Sequence, residues 1–170
     1  MKMQRVLKWK KARNQDEAAH KVKPIRTIEP ESINGISEDG NWEEIEMAVD
    51  SGATETVAND TMISSVPTEP GPASKRGVEY EVANGTRIPN EGEKRFEAVT
   101  GEGQHRKLVV QVCDVNQGLL SVSKATAANN RVVFDADGCY IENKDSGEIT
   151  RLKEKKGMYA LKLWVRRRPS

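Results

Sequence analysis

Two stretches of this chain set a carboxylate, a small hydroxyl and a glycine side by side: Asp50-Ser51-Gly52 and Asp145-Ser146-Gly147. Such a triplet can present a carboxylate for general acid–base work, because glycine lets amides or a ligand come close to it. The same triplet is also common in exposed turns. What precedes each copy separates them. Ile45, Met47 and Val49 alternate and then merge into the apolar run Met47-Ala48-Val49, the pattern of a strand with a buried face. A charge delivered at the end of such a strand is costly unless it is used. Asp145-Ser146-Gly147 lies between Lys144 and Glu148 with no apolar strand leading in, and reads as a hairpin turn. The candidate catalytic residues are therefore Asp50, Ser51 and Gly52.

The other reactive side chains form no competing constellation. Cys113 and Cys139 lack CxxC or Cys/His spacing, so no metal and no cofactor are expected. Both fall in predicted strands and read as reduced thiols, with a disulfide between them left open. His20 and His105 sit in charged, loop-like surroundings. Ser51, Ser121 and Ser123 have no Gly-x-Ser-x-Gly elbow or histidine partner, which argues against serine hydrolysis.

The elements that must hold Asp50 read mostly as β. Asn34-Gly35 and Asp39-Gly40 are turn pairs, with a short strand around Ile33 and Ile36 leading toward Asp50. Val66-Pro67 and Pro70-Gly71-Pro72 read as a surface loop. Tyr80 and Val82 alternate with Glu79 and Glu81, then Asn84-Gly85 and Thr86-Arg87-Ile88 complete a hairpin signal, with 92–99 extending the returning strand. Gly101-Glu102-Gly103 turns into the β-prone run 108–115. Ser121 is a plausible N-cap for one helix over 122–130. A hairpin about Asp137-Gly138, a strand over 148–152 and a last strand over 159–165 follow.

A length of 170 residues suits one domain, and the formal net charge of +1 gives no global field for nucleic acid or a membrane. The charges are unevenly placed. Residues 1–27 read as a basic flexible arm, 28–165 as the folded domain and 166–170 as a basic tail, so nucleic acid is expected only through the ends. No apolar run approaches the roughly 18 residues of a membrane span. The first 13 residues lack a secretory pattern, so a reduced, cytoplasmic location is expected.

The stretch Val49-Asp50-Ser51-Gly52-Ala53-Thr54 resembles the active-site loop of aspartic proteases. Tyr80–Thr86 falls where retroviral-type proteases place a hairpin flap, and Ser121–Asn130 where they place a short helix. More narrowly, the chain is similar to proteases of copia-type retrotransposons. The features that carry this are Val82-Ala83-Asn84-Gly85, Asp114-Val115 before Leu119-Leu120-Ser121-Val122, and Phe134, Gly138-Cys139, Ile141, Gly147 and Tyr159-Ala160-Leu161 in that order. The resemblance implies a retropepsin-like closed β-barrel with one short helix and a polypeptide substrate. Asp50 would activate water and protonate the leaving amine, Ser51 would brace the loop across a dimer, and the Gly52 amide would hold a carboxylate oxygen. Ala53, Val82, Ala83, Asn84 and Gly85 would bind the peptide.

Aspartic proteolysis needs two carboxylates sharing one proton, and this chain offers one credible triplet. A two-fold axis through the site would bring Asp50 of each subunit face to face, so a homodimer is expected. The competing reading is an inactive descendant that keeps the fold as a dimerisation or peptide-binding module.

Overall fold

The alternation that leads to Asp50 is a strand. In the computed structural model, which describes residues 41–167, β1 (Trp42–Asp50) turns Ile45, Met47 and Val49 into the main core. Ala48 points to the opposite side, into a second apolar cluster with Ala53, Val57, Tyr80, Cys113, Val115 and Leu119. The strand thus passes from one buried face to two, which is why its pattern shifts from alternating to continuous. Side chains as deeply buried as Met47 contribute about 1.5–3 kcal/mol each.

Twelve strands are described. After β1 come β2 (Val57–Ala58), β3 (Glu79–Glu81), β4 (Arg87–Pro89), β5 (Gly92–Thr100), β6 (His105–Val112) and β7 (Leu119–Ser121). Then follow β8 (Asn130–Val133), β9 (Tyr140–Asn143), β10 (Ile149–Arg151), β11 (Lys153–Lys155) and β12 (Met158–Arg166). The order β1-β7-β2-β6-β5-β12 closes on itself through the β1–β12 pairing, giving a six-stranded barrel with β11 appended to β12. Closure leaves β1 flanked on both sides, by β12 antiparallel and by β7 parallel. A separate sheet, β10-β9-β8, and the β3–β4 hairpin complete the sheets among the described residues. The mostly β, closed-barrel expectation agrees with this architecture.

The helical content is richer than the single expected helix. A 3-10 turn, Asp60–Ile63, capped by Asn59, precedes the stretch read as a surface loop, and a four-residue helix α1 (Pro72–Lys75) starts on that stretch's last residue, Pro72. The expected helix is α2 (Val122–Ala127), with Ser121 as its N-cap, but it stops short of Asn130. Asn129 adopts φ 63°, a left-handed conformation that ends helices, and Asn130 already belongs to β8. Nor does β5 extend the hairpin strand: Gly92, at φ 136°, starts a strand that joins the barrel by pairing with β6. The last strand spans the expected residues and one more at each end, Arg166 lying over the Trp42 ring.

Two buried charges fasten the strands to the 3-10 turn. The Glu43 carboxylate accepts hydrogen bonds from the backbone and hydroxyl of both Ser64 and Ser65, at 2.5–3.0 Å. Lys94, 1% exposed, donates to the carbonyls of Asp60, Ile63 and Val66 at 2.7–2.9 Å. Cys113 and Cys139 are free, buried thiols, and burial pushes both above the ordinary thiol range. No helix among the described residues is long and apolar enough to cross a membrane. The arm 1–27, the strand expected near Ile33 and Ile36, His20 and the tail from Arg168 onward lie outside the described residues.

Candidate active site

Asp50 is the last residue of β1, and its backbone lies in register with Ser121 of the parallel neighbour β7. Its two carboxylate oxygens differ. Oδ1 accepts the Gly52 N–H at 2.8 Å. Oδ2 is buried and has no hydrogen-bond partner among the described residues. Burial pushes the carboxyl above the ordinary aspartate range, and the Gly52 amide opposes that shift without cancelling it. A Cβ added at Gly52 would stand 3.3 Å from Oδ1, closer than most side-chain contacts. The glycine therefore supplies both a donor and room. Ser51 is exposed beside the acid.

The loop after Gly52 is stitched to the N-terminus of α2. Ala53, 1% exposed, offers its carbonyl to the Ser121 hydroxyl at 2.7 Å, and Thr56 Oγ1 accepts the Ser121 N–H at 3.1 Å. Glu55 pairs with Lys124 at 3.2 Å. Ser121 was legible in sequence as a helix cap and as part of the run Leu119-Leu120-Ser121-Val122, but not as a partner of this loop, and Thr56 carried no signal at all. Gly118 explains how β7 comes so close: its carbonyl accepts the Ala48 N–H at 2.8 Å, and a Cβ there would meet Met47 Sδ at 2.8 Å.

The hairpin expected as a flap is present. Tyr80 pairs with Ile88 and Glu81 with Arg87, while Val82 N–H bonds Thr86 O and Gly85 N–H bonds Val82 O, each at 2.9 Å. The tip is thus the three-residue loop Ala83-Asn84-Gly85, with positive φ at Gly85 alone of the Asn-Gly pair. Val82 and Ala53 meet the same apolar cluster, whereas Ala83, Asn84 and Gly85 stand exposed at the tip. Tyr80 is fully buried in that cluster and accepts a hydrogen bond from Asn90 Nδ2 at 2.8 Å; burial raises its phenol to about 12. Asn90 also donates to Gln111 Oε1 and accepts the Gly92 N–H, both at 2.8 Å, so the hairpin base is tied to the barrel. With Tyr80 turned inward, Glu79 and Glu81 occupy the opposite face of the strand.

The second triplet behaves as a turn. Asp145 is exposed, its carboxylate accepts from Asn129 Nδ2 at 2.7 Å, and Gly147 takes φ 78°. Among the described residues no group of three or more His, Cys, Asp or Glu side chains is placed to hold a metal ion. No family model matches this chain, and neither a curated protein nor a solved structure does.

Proposed function

We propose that the protein is a retropepsin-type aspartic endopeptidase whose active site is shared by two copies of the chain, with polyprotein processing in a retrotransposon as its setting. The observation that carries this reading is the pair of unlike oxygens on Asp50. One is held by Gly52, while the other is buried with no partner among the described residues. A buried carboxylate oxygen without a donor costs several kcal/mol in the neutral-to-charged balance, so such a group is retained where a proton or ligand meets it. A second Asp50 carboxyl across a two-fold axis would supply that proton and could share it. One acid would then act as base toward a water, and the other would protonate the peptide nitrogen as the C–N bond breaks.

The hairpin supports the same reading. Its base is fixed by Tyr80 and Asn90, and its exposed tip, Ala83-Asn84-Gly85, is free to lie over an extended peptide and pair with its backbone. Val82 and Ala53 would meet substrate side chains from the apolar side. Wild-type protein should cleave members of a peptide library, and a pepstatin-type inhibitor should block it. Asp50→Asn should abolish cleavage. Cleavage that persists in Asp50→Asn, or that a chelator removes, would refute the assignment.

A further inference from the structure

We infer that Ser121 is a positioning residue for the Asp50 loop, clamping it from the start of α2. The inference rests on the Asp50 reading for its catalytic consequence alone. Ser121 is completely buried, and both its N–H and its hydroxyl bond to the loop, the hydroxyl also meeting Ser123 Oγ at 3.0 Å. Its hydroxyl donates to Ala53 O at 2.7 Å and its backbone N–H donates to Thr56 Oγ1 at 3.1 Å. The same hydroxyl accepts the Lys124 N–H at 3.2 Å, the cap that starts α2. A serine serving as a helix cap needs only the last of these. The other two grip Ala53 and Thr56, in the loop that follows Asp50-Ser51-Gly52, from a residue whose ladder partner is Asp50 itself.

The mechanical consequence follows from the loop's own bonds. Gly52 holds Oδ1 of Asp50, so any shift of the 51–56 segment moves that donor. Ala53 is the next residue along, with its carbonyl pinned. Removing the pin leaves a buried carbonyl without its donor and frees the loop to move by the fraction of an ångström that acid–base geometry cannot tolerate. The Glu55–Lys124 pair adds a weaker tie between the same two segments.

Hydrogen–deuterium exchange and steady-state kinetics on the full chain test this. In Ser121→Ala, exchange at the Gly52 amide should accelerate by about tenfold or more. The kcat should fall by about tenfold or more while KM stays within about twofold. Ser121→Thr, which keeps the hydroxyl, should restore both. If Ser121→Ala does not fold, Thr56→Val carries the same expectation, because it removes the acceptor of the Ser121 N–H and keeps the side chain's shape. Faster exchange at Lys124 alone, with Gly52 and kcat unchanged, would reduce Ser121 to a cap and overturn the inference. Equal loss of kcat in a core variant far from the loop, Leu152→Ala, would overturn it too. The exchange readout needs no catalysis, so it stands apart from the Asp50→Asn assay that decides whether the protein is a protease.

Discussion

Asp50 and Glu43 sit on the same strand, and their carboxyls are shifted in opposite directions. Burial raises the Asp50 carboxyl above the ordinary aspartate range, so the native state holds its proton more tightly than the unfolded chain does. That contribution to stability is complete below the ordinary aspartate value and is lost as pH rises through the raised one. Burial also works against the Glu43 carboxylate, but the hydrogen bonds from Ser65 and Ser64 outweigh it and lower the group below the ordinary glutamate range. Its contribution is present above the ordinary glutamate value and is lost as pH falls through the lowered one. Urea unfolding between about pH 3 and 7 should therefore separate two variants. Asp50→Asn should be more stable than wild type near neutrality, with an advantage that shrinks on acidification. Glu43→Gln should cost about 1–3 kcal/mol near neutrality and less in acid. A pH-independent difference for either would contradict the stated cause. The apolar approach that marks Asp50 was legible in sequence. Glu43 was not: the alternation places it on the inward face with Ile45, but no local pattern shows that Ser64 and Ser65 fold back to satisfy its carboxylate.

Elements made by neighbours in sequence were the legible ones. The hairpin around Asn84-Gly85 and the turn at Gly101–Gly103 formed as their spacing implied, and Ser121 capped its helix. What the sequence could not display is contact over distance. The parallel register of Asp50 with Ser121 and the Ala53–Ser121 bond join residues 68 apart in the latter case, and no local pattern encodes them. Lys94 shows the same limit. A lysine in an alternating strand reads as exposed, yet its ammonium closes the 3-10 turn against the barrel. Lys94→Met keeps the length of the side chain and leaves three carbonyls without their donor. It should cost about 3 kcal/mol in chemical denaturation, and a loss under about 0.5 kcal/mol would show that water replaces the ammonium freely.

Closure of the barrel gives β1 a partner on each side and so fixes where Asp50 ends up. The mostly β character was legible from short strands punctuated by glycine turns, whereas closure of the barrel was expected only from the family resemblance. Its strand order was not legible, because β1 pairs with β12 at the other end of the described chain and with β7, both distant in sequence. The one credible triplet in the chain makes the proposed site a property of two copies together. Mixing wild type with Asp50→Asn at fixed total protein, after exchange of subunits, tests this most directly. If each site takes one Asp50 from each of two chains, activity should follow the square of the wild-type fraction, so an equal mixture keeps about one quarter. Activity proportional to the wild-type fraction, about one half in the same mixture, would mean that one chain suffices and would contradict the shared site.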